Sequence, residues 1–150
     1  MRSLAAHLLS TAAQNNRFVQ AHAHAHGVLS RLLHAFASEE NGQARAALLG
    51  AASSLLRGLY FPLKSAFLHE MGGLELLQSV LDAGEERVAR KALVLLLDLQ
   101  LRDVPTSGTH FVKKTLTADG SWARRLLQLE AKTHDSRVYA LKNLACLLEF

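Results

Sequence analysis

The chain contains 150 residues, with 17 Lys and Arg side chains against 13 Asp and Glu, a formal net charge of +4 at neutral pH. This length suits a single domain over residues 1–150, and no apolar run approaches the roughly 20 residues that cross a bilayer. The nine aromatic residues are scattered and the basic residues are spread along the chain. We therefore expect neither a nucleic-acid nor a membrane partner.

Leucine occurs 31 times and alanine 23 times, whereas isoleucine is absent and valine occurs only eight times. Because leucine and alanine favour helices and β-branched residues favour strands, the composition predicts an all-α protein.

The first segments predict one partial and one complete group of helices. LAAHLLSTAAQNN is typical of the last helix of a truncated repeat that ends at Asn15 and Asn16. RFVQAHAHA and HGVLSRLLHAFAS then predict a first and a second helix, and a third helix is expected from Gln43 to about Gly58.

The middle of the chain repeats this plan with FPLKSAFLHEM, LELLQSVLDAG and a long helix from about Glu86 to Arg102. Pro62 suits an early helical position, and the pair Gly72–Gly73 permits a tight turn with positive φ. The long helix has two apolar faces, which predicts that neighbours cover it on both sides. One face holds Val88, Ala92, Leu95, Leu96 and Leu99; the other holds Leu93, Leu97 and Leu101.

The last unit is less regular. A turn-rich connection around Pro105 and Gly108 leads to HFVKKTLTADG, for which we expect at least one helical turn. SWARRLLQLEAK predicts a second helix with Ser121 as its N-cap, and Asp135 or Ser136 is expected to cap a third helix that continues to the end.

The three long helices share a pattern of a basic residue, an Ala-Leu pair and further leucines. The Ala-Leu pairs lie at 47–48, 92–93 and 140–141, which gives offsets of 45 and 48 residues. These offsets lie at or just past the upper limit of the period of about 40 to 47 for HEAT and armadillo repeats. The pattern predicts a right-handed, armadillo-like solenoid of about three repeats with three helices each, in a chain that we expect to be a fragment of a longer protein.

No arrangement of side chains predicts catalysis, a cofactor or a metal centre. Of His22, His24 and His26, only the first and last share a helical face, and two ligands fall short of the four in a structural zinc site. HEMGG lacks the second histidine of a zincin helix. Cys146 stands in the apolar run LACLL, so we interpret it as a core residue. The chain is therefore predicted not to be an enzyme.

The segment from Arg45 to Leu99 resembles the Sil-type nucleotide exchange factors. The resemblance lies in a leucine-rich helix ending in Leu-Leu-Arg, a short aromatic-containing helix ending in Phe-Leu, the pair Gly72–Gly73, and a helix ending in Leu-Leu-Asp-Leu. AAQNNRFVQAHAHAHGVLSRLL and SWARRLLQLEAKTHDSRVYALKNLACLL extend it toward both ends. These motifs are shared in part with the cytosolic Fes-type factors.

The resemblance implies an armadillo-repeat protein that binds the nucleotide-binding domain of BiP, the chaperone ATPase of the endoplasmic reticulum, and promotes ADP release. It implies location in the endoplasmic-reticulum lumen, with the cytoplasm as the alternative, and a concave surface lined by the third helices. The polar positions on those helices are the predicted partner contacts: Ser54, Arg57, Arg90, Val94, Asp98, Arg102, Lys142 and Asn143.

Two other functions stay open. One is an armadillo scaffold that binds a peptide or protein in its groove, although the level of Asp98 carries Ser54 and Cys146 in the other repeats instead of the asparagines such grooves use. The other is an assembly role in which exposed apolar ends stack on a second protomer, whereas the exchange-factor interpretation predicts a monomer.

Overall fold

The computed structural model describes residues 2–57, 61–101, 111–129 and 134–148. Within these four ranges every regular element is a helix, which confirms the all-α prediction. None of the helices in them is both long enough and apolar enough to span a bilayer.

The first helix lies where the sequence predicts the last helix of a repeat. Helix α1 (Arg2–Ala13) ends just before Asn15, whose φ of 57° reverses the chain direction. Asn16 then caps helix α2 (Arg17–Ala25), because its Oδ1 accepts a hydrogen bond from the N–H of Val19 at 3.2 Å. The predicted boundary at the two asparagines is confirmed.

Helices α3 (Val28–Ala37) and α4 (Gly42–Leu56) complete the first full repeat. Asn41 caps α4 by accepting a hydrogen bond from the N–H of Ala44 at 3.0 Å. The long third helix therefore starts one residue before the predicted position, at an N-cap side chain that satisfies an otherwise free backbone donor.

The middle repeat contains a π-helical turn that the sequence did not predict. Helix α5 (Phe61–Ser65) continues into this turn at Ala66–Glu70, where the N–H of Met71 bonds to the carbonyl of Ala66 at 3.0 Å. Helices α6 (Gly73–Ala83) and α7 (Glu86–Leu101) follow. A backbone hydrogen bond between residues i and i+5 adds one residue to a single helical turn. One such turn is too short to change the periodicity of the apolar residues, so the sequence pattern cannot reveal it.

The last repeat contains helices α8 (Phe111–Thr117), α9 (Ser121–Gln128) and α10 (His134–Leu148). Two predicted caps are wrong. Gly120, and not Ser121, is the N-cap of α9, and α10 begins at His134, so that Asp135 and Ser136 lie inside its first turn. The connection around Pro105 and Gly108 lies outside the described residues.

The start of α9 shows why Ser121 is not the cap. Gly120 takes the left-handed conformation at φ 68°, and Asp119 Oδ1 accepts a hydrogen bond from the N–H of Ser121 at 2.9 Å. The hydrogen bonds from the Ser121 hydroxyl and N–H stabilise the carboxylate and lower the pKa of Asp119. Asp119 therefore accepts the hydrogen bond of the first N–H in α9, and Ser121 lies inside the helix as its first residue.

A left-handed glycine precedes the second helix of every repeat. Gly27, Gly72 and Gly120 have φ values of 62°, 63° and 68° and stand directly before α3, α6 and α9. Their spacings of 45 and 48 residues equal those of the Ala-Leu pairs. A residue with a Cβ is less stable in this conformation by roughly 1–2 kcal/mol. These glycines therefore mark the same position in each full repeat, independently of the leucines.

The third helices stack in order, α1 on α4, α4 on α7 and α7 on α10, which is the arrangement of an armadillo-like solenoid. One hydrophobic core includes residues from Ala6 to Leu147. The predicted core stripe of α7 is confirmed, with every member at most 1% exposed, and Leu93 and Leu97 are also buried. The prediction that Leu101 is buried is wrong: its side chain is 66% exposed, and no other described helix covers it.

Gly73 allows the backbone at the start of α6 to lie against Phe67. A Cβ at this position would lie 2.5 Å from the carbonyl oxygen of Phe67 and 2.6 Å from its ring. The Phe67 side chain is fully buried and cannot move aside into solvent. Gly73 is thus required by packing, whereas its neighbour Gly72 is required by backbone conformation.

We expect Gly73→Ala to destabilise the protein by about 1–3 kcal/mol, because the added methyl group displaces a buried ring and a backbone carbonyl. Gly50→Ala is the matched control, since a Cβ at this helical position meets nothing within 4 Å and alanine favours a helix by up to about 1 kcal/mol. Urea denaturation followed by circular dichroism measures both. Equal stability of the two variants would contradict the packing at Gly73.

Candidate functional site

The predicted contact residues lie on the row formed by α4, α7 and α10, but the structure divides them into three groups. Some are buried between repeats, some form a half-buried ion pair, and some are exposed. Arg102 lies outside the described residues. Each group has a different capacity to contact a partner.

Ser54 and Asn143 are buried, so the expectation that they project from the third helices is wrong. Ser54 is 5% exposed and its hydroxyl shares a hydrogen bond with that of Ser10 in α1, with 2.7 Å between the two Oγ atoms. The carbonyl of Ser54 accepts a further hydrogen bond from Gln20 Nε2 at 3.2 Å. Ser54 therefore joins α4 to α1 and α2.

Asn143 has the same role between α7 and α10, and it is fully buried. Its Nδ2 donates to the carbonyl of Leu93 at 3.0 Å and to that of Tyr139 at 2.8 Å. Its Oδ1 accepts from Gln100 Nε2 at 2.6 Å. A buried amide is costly unless it is hydrogen-bonded, so the two bonds to Leu93 and Gln100 fix how α10 lies on α7, while the bond to Tyr139 lies within α10.

Asp98 and Arg57 form an ion pair between α4 and α7. Asp98 Oδ2 lies 2.8 Å from Arg57 Nη2 and 3.0 Å from Nε, and it also accepts from Ser53 Oγ at 3.3 Å. The side chains of Arg57 and Asp98 are 27% and 19% exposed. Charge-assisted hydrogen bonds from two guanidinium nitrogens hold this carboxylate in place.

Arg90 and Lys142 are the predicted contacts that face solvent, and Val94 is half-buried on α7. Arg90 Nη1 lies 3.3 Å from Asp135 Oδ2, with the two side chains 44% and 64% exposed, so the pair contributes little to stability. The Lys142 ammonium lies 5.5 Å from the ring centroid of Tyr139. Both cations remain accessible to a partner.

Sequence reasoning missed the buried polar residues that complete these contacts. Ser10, Gln20, Ser53 and Gln100 bind the predicted residues from neighbouring helices. Their signal is a polar side chain within an apolar stretch, as Gln100 stands in LLLDLQL. That signal predicts a buried hydrogen bond but does not identify the partner.

A groove of about 700 Å³ lies between α6, α7, α9 and α10. Its polar side chains bind one another: Arg125 pairs with Asp82, and the hydroxyl of Ser136 donates to Glu86. Leu81, Ala89 and Leu93 contribute apolar surface. These contacts join the middle and last repeats.

The described residues contain no group of three or more His, Cys, Asp or Glu side chains that could hold a metal ion. His22 and His26 do share a face, with ring centroids 4.1 Å apart, and His26 Nδ1 lies 2.9 Å from the carbonyl oxygen of His22. Cys146 is buried at 5% exposure, which confirms its interpretation as a core residue.

We expect Asn143→Ala to destabilise the protein by about 1–3 kcal/mol, because it leaves Gln100 Nε2 and the carbonyl of Leu93 buried without this partner. Lys142→Ala is the control on the adjacent, exposed position, and its effect should stay within about 0.5 kcal/mol. Chemical denaturation provides both free energies of unfolding. A neutral Asn143→Ala variant would show that the amide does not hold the two repeats together.

A family model described as the SIL1/FES1/HPBP1 C-terminal domain matches residues 1–150, the whole chain. No match was found among curated proteins or among solved structures. Because the family match covers every helix of the repeat stack, the chain belongs to the SIL1/FES1/HPBP1 C-terminal domain family.

Proposed function

We propose that this chain is a nucleotide exchange factor that binds the nucleotide-binding domain of a BiP-type chaperone and promotes release of ADP. The observation that carries the proposal is the family match over residues 1–150, since the family comprises exchange factors of Hsp70 chaperones. The exchange factors of this family are not catalytic enzymes.

Exchange of this kind needs binding alone. A protein that binds the open, nucleotide-releasing conformer of the chaperone more tightly than the closed conformer shifts the population toward release. By linkage, the factor and ADP then weaken each other's binding by the same factor. A surface built on stacked helices suits this role, because little conformational freedom is lost when a rigid surface binds.

The contacts between repeats supply that rigidity. Asn143 joins α7 to α10, the Arg57–Asp98 pair joins α4 to α7, and Ser54 joins α1 to α4. The predicted residues that lie between repeats therefore support the binding surface by holding the third helices in register. Arg90, Val94 and Lys142 are the members that we propose as direct contacts, with Arg102 as a further predicted contact.

The charge of these contacts favours an acidic patch on the partner. Arg90 and Lys142 are exposed cations on adjacent third helices, and the whole chain carries a formal charge of +4. Complementary charge accelerates encounter and selects orientation. Binding should accordingly weaken as salt concentration rises, because exposed charges are screened within about 10 Å at 0.1 M ionic strength.

The residues that resemble the Sil-type factors favour BiP as the partner and the endoplasmic-reticulum lumen as the location. The Fes-type factors make a cytosolic chaperone the alternative. A peptide-binding groove has less support, because the side-chain amide of Asn143 is already hydrogen-bonded to carbonyls of α7 and α10. Those hydrogen bonds leave it unavailable to a peptide backbone.

The first test measures nucleotide release. BiP loaded with a fluorescent ADP analogue should release it faster when the chain is added, and the rate should saturate as the complex fills. Under the same conditions a cytosolic Hsp70 should respond less. Absence of acceleration for both chaperones by the folded chain would contradict the proposed function, and a larger effect on the cytosolic chaperone would favour the alternative partner.

The second test concerns the contact residues. Arg90→Glu combined with Lys142→Glu should raise the half-saturating concentration at least about tenfold, equivalent to 1.4 kcal/mol of binding free energy. Arg17→Glu combined with Arg31→Glu is the matched control, because both residues are exposed, lie off the third helices and change the net charge equally. Equal effects of the two double variants would show that overall charge, and not this surface, determines binding.

A further inference from the structure

Two imidazole rings lie side by side at the end of α2. His22 and His26 are both exposed, and their ring centroids lie 4.1 Å apart with the ring planes tilted by 35°. The two residues are one helical turn apart, and residues at i and i+4 share a helical face. The local helix therefore brings the rings together, whichever other segments pack nearby.

The hydrogen bonds of His26 determine which of its ring nitrogens can bind a ligand. The carbonyl of His22 accepts a hydrogen bond from the backbone N–H of His26 at 3.1 Å, and Nδ1 of His26 lies 2.9 Å from the same oxygen. A carbonyl oxygen only accepts hydrogen bonds, so Nδ1 carries the proton and Nε2 of the neutral ring carries the lone pair. Histidines that bind metals have this arrangement, with one ring nitrogen donating to a carbonyl or carboxylate and the other binding the ion.

The middle histidine of the segment does not join the pair. His24 is half-buried, and two residues of helix turn it by about 200° away from His22. Among the residues that the structure describes, no third His, Cys, Asp or Glu forms a group with the two rings that could hold a metal ion. An ion bound here would keep water at its other positions, so the site differs from a structural zinc site with four protein ligands.

The available donors select the class of ion. Imidazole nitrogen suits zinc, copper and nickel, whereas Ca²⁺ and Mg²⁺ take oxygen ligands. No Asp or Glu occurs in the sequence before Glu39, so α1, α2 and α3 contain no carboxylate side chain. Among the transition metals, Cu²⁺ should bind more tightly than Ni²⁺ or Zn²⁺, as it does at most sites with nitrogen ligands.

We propose that His22 and His26 form a binding site for a divalent transition-metal ion, with Nε2 of His26 and one ring nitrogen of His22 as its protein ligands. The site lies on α2, away from the row formed by α4, α7 and α10. The proposal is therefore independent of the proposed function. An open site of two histidines is also compatible with the sequence-based expectation that the chain lacks a four-ligand zinc centre.

Binding at this site should stabilise the folded chain. The helical turn holds the two rings together, so the ion binds the folded state more tightly than the unfolded chain, and the melting temperature should rise with metal concentration. Protons compete with the metal for the neutral imidazoles. The rise should accordingly be lost when the pH is lowered from about 7.5 to about 5.5, the range in which histidine side chains gain a proton.

The first test is isothermal titration calorimetry of the full chain without an affinity tag, with Cu²⁺, Ni²⁺ and Zn²⁺ as the probes. One ion should bind per chain, most tightly for Cu²⁺, and Mg²⁺ should not bind. His22→Gln and His26→Gln should each weaken binding at least about tenfold, because either change leaves a single donor and removes the advantage of two linked ligands.

His34→Gln is the matched control, since it removes one exposed imidazole from the neighbouring helix α3. This variant should keep both the affinity and the metal-dependent rise in melting temperature. Circular dichroism checks that all three variants retain their helices, as expected for glutamine at exposed helical positions.

The second test identifies the ligating atom by NMR of the ¹⁵N-labelled chain. Addition of Zn²⁺ should shift the Nε2 resonance of His26, while Nδ1 keeps its proton and its hydrogen bond to the carbonyl of His22. Coordination through Nδ1 of His26 would overturn the assignment, because that nitrogen must then lose its proton and the hydrogen bond.

The calorimetry can also overturn the proposal. Absence of binding for all three metals up to millimolar concentration would do so, as would unchanged affinity in both His22→Gln and His26→Gln. An equal loss of affinity in His34→Gln would show an adventitious ion only, held by surface histidines without regard to their pairing.

Discussion

The structure depends on one constraint: a third helix with two apolar sides is buried only when another third helix lies on each side of it. Helix α7 meets this condition, because α4 covers one side and α10 the other, and its leucines at 93, 95, 96 and 99 are essentially inaccessible. Stability in such a stack comes from intrinsic terms of each repeat plus the interfaces with its neighbours.

Apolar contacts alone would let neighbouring helices slide along one another, and the buried polar contacts prevent this. Asn143 has its two hydrogen bonds to α7 only when it lies level with Leu93 and Gln100. The carboxylate of Asp98 likewise matches one position of Arg57. A shift of one helical turn would leave each of these polar groups without its partner. The buried polar contacts therefore select one register, whereas apolar contacts alone would allow several.

The buried polar contacts change how the predicted partner contacts are interpreted. The polar positions on the third helices suggest a binding surface in the sequence, yet Ser54 and Asn143 face neighbouring helices and are buried. Arg90 and Lys142 differ because their hydrogen-bonding groups remain in solvent. A partner that recognises this surface would meet a row whose backbone positions are fixed by internal contacts and whose exposed charges are free to adjust.

The sequence by itself determined the helical class, the repeat period, most helix boundaries and the family. These are local properties, because leucine periodicity, asparagine caps and left-handed glycines act within a few residues of one another. It also determined that α7 would be buried on both sides. Only the tertiary structure decided which polar residues lie between repeats: Ser54 and Asn143 look no different from exposed residues until the helix that receives them is placed about 45 residues away.

The π-helical turn at Ala66–Glu70 and the exposure of Leu101 were decided in the same way. The turn includes the hydrogen bond from Met71 to Ala66 and lies beside the close contact of Phe67 and Gly73. The exposure of Leu101 depends on which other parts of the chain pack against it. The spacing of apolar residues shows which side of a helix will be buried. The helix that packs on that side comes from another part of the chain, and its position follows from packing and hydrogen bonding in three dimensions.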